Sequence, residues 1–82
     1  MISASQVQKL IQQGLPDAEV EVFDPMNDGT HLEARVISPS FHGKTRVRQH
    51  QMVYQALGAA FEGPLHALKL TTMTPEEAKN RR

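Results

Sequence analysis

Four histidines, His31, His42, His50 and His66, dominate the chemistry open to this chain, because it contains no cysteine. Without a thiol there are no disulfides, no thiolate nucleophile and no Cys-type zinc site, so any metal must be held by His, Asp or Glu. Neutral imidazole is the commonest nitrogen ligand and accepts iron, zinc and copper. His31 and His66 each stand at the start of an alternating apolar run. If those runs are adjacent parallel strands, both histidines lie at one end of a sheet whose strands are roughly 4.8 Å apart, beside the turn from Asp24 to Thr30. Parity works against their meeting. His66 shares the side of Leu68 and Leu70, whereas His31 opposes Leu32 and Val36, so in a flat sheet the rings point to opposite faces unless twist or fraying relieves this. Each histidine also has a packing reading: a partly buried, backbone-bonded ring for His66, a strand-end position for His31, a loop position for His42, and a core or hydrogen-bonding role for His50.

No enzyme template fits the remaining residues. There is no Gly-rich phosphate loop, no His-Glu-x-x-His, no Gly-x-Ser-x-Gly, and the carboxylates cluster on an exposed strand face. The segment Gly43-Lys44-Thr45-Arg46-Val47-Arg48 places three cations, Lys44, Arg46 and Arg48, before and within the first turn of a helix. Such a group could grip phosphates, with salt-dependent binding.

The elements that must position these residues follow from periodicity. Ser3 with Gln6 resembles a capping box, and Val7, Leu10 and Ile11 recur at helical spacing until Gly14 and Pro16, predicting a first helix over about 4–13. Ala18, Val20 and Val22 alternate with Glu19 and Glu21, predicting a strand over about 18–23 with one wet face. After the turn-rich Asp24-Pro25-Met26-Asn27-Asp28-Gly29, a second strand carries Leu32, Ala34 and Val36 on one face and His31, Glu33 and Arg35 on the other, completing a hairpin. Ser38-Pro39 ends it, and a loop runs through Phe41-His42-Gly43-Lys44.

From Thr45, the residues Val47, His50, Val53, Tyr54, Leu57 and Phe61 form an apolar stripe, predicting a second helix to about Ala60. Gly63-Pro64 breaks it, and Leu65 to Thr72 alternates as a third strand with Leu68 and Leu70 inward and Lys69 outward. Thr74-Pro75-Glu76-Glu77 starts a short last helix with a Thr N-cap, Pro at the first position and Glu at the third. Its continuation from about residue 78 is polar and basic and is expected to fray. The order is αββαβα, an α+β fold with a three-stranded mixed sheet: strands one and two antiparallel, strands two and three joined by a right-handed crossover, helices packed on one face.

At 82 residues the chain is expected to be one domain over 1–82, since so small a chain has no core to divide. Its 39% hydrophobic and 22% charged residues are ordinary for a globular protein. No apolar run reaches the roughly 18 residues of a membrane span, and no export signal opens the chain, so a cytoplasmic location is expected. Net charge is zero, but residues 1–33 hold six acids against Lys9 alone, whereas residues 34–61 hold Arg35, Lys44, Arg46 and Arg48 with no acid. Solvated faces of opposite sign and a docking surface for a charged partner both suit this split.

Gly29-Thr30-His31-Leu32, Val36 to Lys44, His50, Val53-Tyr54, Leu57, Leu65-His66-Ala67-Leu68 and Thr74-Pro75-Glu76-Glu77 together resemble the BolA family, in order and spacing, over nearly the whole chain. The resemblance implies an αββαβα fold related to the class II KH architecture. It also implies a monothiol glutaredoxin partner, in apo complexes and in heterodimers bridged by a [2Fe-2S] cluster, for iron–sulfur delivery or iron regulation. Carried onto this chain, His66 is the expected cluster ligand. The family's second ligand comes from a His or Cys in the loop between the first two strands; that loop has neither here, and His31 is the best candidate. The remaining ligands would be the glutaredoxin's cysteine and glutathione, with no cluster bound by the isolated protein. His50 and Gly43 are expected as structural or partner contacts, and the free protein as a monomer or weak homodimer. The family's other reputation, as a stress-linked transcriptional regulator, makes DNA binding through Lys44, Arg46 and Arg48 the alternative. The segment nevertheless lacks the Gly-x-x-Gly loop of KH domains.

Overall fold

The computed structural model describes residues 4–27, 31–58 and 68–80. In the first element, α1 (Ala4–Gly14), Val7 and Ile11 stand one turn apart and are fully buried. The expected Ser3 cap lies outside the described residues. Gly14, which reads in the sequence as a stop signal, is helical, and its bare Cα meets the second long helix. A Cβ there would collide with that of Ala56 and come 2.9 Å from its Cα.

The hairpin forms as its alternation requires. Strands β1 (Glu19–Phe23) and β2 (Leu32–Ile37) are antiparallel, pairing Glu21 with Arg35 and Phe23 with Glu33. Strand β3 (Leu68–Met73) pairs with β2 in parallel, Leu32 with Leu68 through Ile37 with Met73, giving the order β1-β2-β3. The inward row Val20, Leu32, Ala34, Val36 and Leu68 is buried against Val7, Ile11, Val53 and Leu57. Burial of such side chains supplies about 1.5–3 kcal/mol each.

Between β2 and the second long helix, Ser38 caps a short 3-10 turn, Pro39–Phe41, by accepting from the Ser40 amide, and Phe41 drops fully into the core. Helix α2 (Arg46–Leu57) follows, with the Thr45 hydroxyl accepting from the Arg48 amide at 3.1 Å and Gly58 at φ 57 closing its end. Residues beyond 58, including Phe61 and the Gly63-Pro64 break, lie outside the described set. The expected stripe needs correction at its start: Val47 is 68% exposed, and Gln49 is buried in line with Val53 and Leu57. These three lie at four-residue spacing on one helical face, whereas Val47 is turned out to solvent.

Helix α3 (Pro75–Asn80) starts with the capping box its residues announce. The Thr74 amide donates to Glu77 Oε1 at 3.0 Å, and the Glu77 amide donates to Thr74 Oγ1 at 3.2 Å. Fraying from residue 78 does not occur among the described residues. The Ala78 amide bonds the Thr74 carbonyl, and its half-buried side chain lies with Ile37 and Met73 at the border of the sheet's outer face. That outer face carries the cross-strand pairs Arg35–Glu21 at 2.6 Å and Lys69–Glu33 at 3.8 Å. Both pairs are solvated, and such pairs contribute at most about 1 kcal/mol.

Candidate functional site

The sheet has two ends of different character. At one, β1 leaves through Asp24–Asn27, where the Asn27 amide bonds the Asp24 carbonyl and Asn27 adopts φ 53, a left-handed conformation that Asn tolerates. His31 precedes β2 and is exposed, on the opposite side from buried Leu32, as parity requires. The register seats Leu32 beside Leu68, so the segments carrying His31 and His66 enter adjacent parallel strands from the same end. His66 itself lies outside the described residues. Among the described residues no three His, Asp or Glu side chains are grouped to hold a metal ion.

At the other end, polar groups from four elements close on one another. Asp17 accepts from Ser38 Oγ at 3.0 Å and from Ser40 Oγ at 2.6 Å, which holds its carboxyl below the usual carboxylate range, Ser40 contributing more. Gln49 donates to the carbonyls of Lys44 at 3.0 Å and Phe41 at 3.3 Å, and accepts from Thr72 Oγ1 at 2.7 Å. Arg46 donates to the Thr72 carbonyl and to Gln49, and reaches Glu77 at 3.4 Å. The Thr74 amide, with a smaller contribution from Arg46, holds the Glu77 carboxyl below its ordinary range. A buried amide in such a network rigidifies what it touches, because each unmade bond would cost its full desolvation.

All three cations expected to meet phosphates are exposed, but Arg46 is tied to Thr72, Gln49 and Glu77, whereas Lys44 and Arg48 flank exposed Val47. Gly43 sits at φ 77 with open space around it, so its role is conformational, turning the chain from the 3-10 turn into α2. His42 is exposed and its amide bonds the Pro39 carbonyl. His50 is half-buried with Nε2 shielded from solvent and, among the described residues, without a hydrogen-bond partner, and burial, followed by the charge of Arg46, pushes its pKa down. By strand rise, the Leu32 and Ile37 ends lie about 17 Å apart. The histidine end and the start of α2 are thus distinct surfaces.

The sequence reading missed two clusters, Gln49 with Arg46 and Thr72, and Asp17 with the serines. A glutamine interrupting an apolar stripe was the available signal for the first. No local pattern links Asp17 to Ser38.

A hairpin lengthened by a parallel third strand, with two long helices on its inner face, defines the class: a small α+β domain with a mixed sheet. The model of the family described as BolA-like protein matches residues 9–77, and the chain belongs to the BolA family. A BolA homologue from Coxiella burnetii is 36% identical and superposes with a TM-score of 0.80, over 96% of this chain and 99% of that one. The BolA domain of SufE1 from Arabidopsis thaliana is 31% identical with a TM-score of 0.73, over 90% and 93%. UV-induced protein uvi31 of Schizosaccharomyces pombe is 43% identical over 54 residues, 65% of this chain and 53% of its own length. The chain thus spans about half of that relative, and the match to SufE-like protein 1 of Arabidopsis covers 14% of it. No helix among the described residues is long and apolar enough to cross a membrane.

Proposed function

We propose that this BolA-family protein is a non-enzymatic adaptor that binds a monothiol glutaredoxin and shares a [2Fe-2S] cluster with it, in iron–sulfur delivery or iron regulation. The observation that carries the reading is the exposure of His31 at the sheet end where β2 and β3 start side by side. The donor set suits a shared cluster: a cysteine-free chain offers imidazoles and no thiolate, so His66 with His31 would complete a set whose thiolates, glutaredoxin cysteine and glutathione, come from elsewhere. Imidazole ligation at one iron raises a cluster's reduction potential relative to all-thiolate ligation, as in Rieske centres. The other end of the sheet, locked by Gln49 and Arg46, supports the scaffold without joining the ligand set.

Titrating the protein into cluster-loaded monothiol glutaredoxin should change the visible absorption and circular dichroism, and His66→Ala should abolish the change. An unaltered spectrum with the unsubstituted protein would overturn the proposal. A transcriptional role through DNA binding remains the competing reading and rests on exposed Lys44 and Arg48. It requires affinity that falls steeply with salt, and alanine at Lys44, Arg46 and Arg48 should flatten that slope.

A further inference from the structure

The sheet has two edges, and they differ in how they are defended. Strand β1 is short, carries Glu19 and Glu21, and is bracketed in the chain by Pro16 and Pro25, all features that discourage strand pairing. Strand β3 carries neither acid nor proline, and its one charge is Lys69. The Ser38 amide bonds the Met73 carbonyl, so in this parallel ladder Met73, Thr71 and Lys69 direct their main-chain groups toward β2. Leu68, Leu70 and Thr72 therefore direct theirs outward. The Thr72 carbonyl is taken by Arg46, which is itself held by Gln49 and Glu77. Among the described residues nothing pairs with the outward main chain of Leu68 or Leu70.

We propose that the outer edge of β3 at Leu68 and Leu70 receives an extended, carboxylate-bearing segment of the partner protein, added to the sheet as a fourth strand. The inference rests on the adaptor reading and names its contact surface, since this edge continues into the chain that leads back to His66. A strand recognised this way gains main-chain hydrogen bonds for affinity and side-chain neighbours for selectivity. The neighbour here is Lys69, whose side chain is 79% exposed and reaches Glu33 only at 3.8 Å. A carboxylate on the added strand would lie beside it on the outer face. Arg46 blocks the Thr72 rung and so fixes where the added strand stops.

The same geometry argues against a second copy of this chain. Two β3 strands meeting antiparallel about a two-fold axis pair at more than one outward position in three registers. Two of these need the Thr72 rung that Arg46 occupies, and the third sets Lys69 opposite Lys69, a destabilising like-charge pair.

Amide hydrogen exchange, with apo monothiol glutaredoxin as the probe, tests this. In the complex the amides of Leu68 and Leu70 should exchange about tenfold or more slowly than in the free protein, while those of Lys69 and Thr71 are already protected. Lys69→Glu should weaken the complex by about fivefold or more without unfolding the protein. If a complex forms with Leu68 and Leu70 unprotected, this inference fails and the adaptor reading stands. If no complex forms, the partner reading falls and takes this one with it. Protection that grows with the concentration of the isolated protein would instead identify a second copy as the occupant.

Discussion

The two ends of the sheet are built on opposite plans. Where β2 and β3 finish, two clusters form: Asp17 holds Ser38 and Ser40, and Arg46, Gln49, Thr72 and Glu77 join one another and nearby carbonyls. Where β2 and β3 begin, His31 stands exposed after a turn with a left-handed Asn27, and the Lys69–Glu33 pair is long and solvated. One end is clasped by polar side chains reaching across several elements, and the other presents an exposed imidazole.

The comparison predicts unequal costs for substitution. The largest is at Gln49. Gln49→Leu strands the carbonyls of Phe41 and Lys44 and the Thr72 hydroxyl, and should cost about 2–4 kcal/mol, read as a lowered urea midpoint. Gly14→Ala, which drives a methyl into Ala56, should cost about 1–3 kcal/mol by the same measurement.

A smaller effect is expected from pH. His50 has its pKa lowered from 6.5, so the folded state disfavours its charged form. Its contribution is complete above pH 6.5 and is lost as pH falls from there through the lowered value, because the unfolded chain takes up the proton first. His50→Leu should therefore lose less Tm between pH 7 and about pH 5.5 than the unsubstituted protein. Asp17 behaves likewise in the acid range: its carboxyl is held below 3.8, so its contribution is present above that value and lost as pH falls through the lowered one. Asp17→Asn should show a shallower acid decline below about pH 4. The smallest effect belongs to the open end. His31→Ala should change stability by less than about 0.5 kcal/mol, and a larger loss would mean that this end also holds the fold.

What could be read from the residues was local. Alternation in Ala18–Val22 and Leu32–Val36 reports which face is wet, and Thr74-Pro75-Glu76-Glu77 contains a complete cap within one turn. The parity of His31 foretold its exposure. The clasped end was not readable, because Gln49 meets Thr72 across 23 positions and Asp17 meets Ser38 across 21, and no short-range pattern encodes such pairs. Val47 was assigned inward from its three-residue spacing to His50, whereas the buried face runs through Gln49, Val53 and Leu57 and leaves Val47 outside it. Gly14 was recognised as a punctuation mark; that it is where one helix touches another required the chain in three dimensions.

That contact at Gly14 bears on how the domain melts. With the backbones of α1 and α2 almost touching at Ala56, water has no seam by which to pry one helix off while the other stays on the strands. Heating should therefore give a single calorimetric peak, with matching calorimetric and van't Hoff enthalpies, and a methyl at position 14 should broaden it.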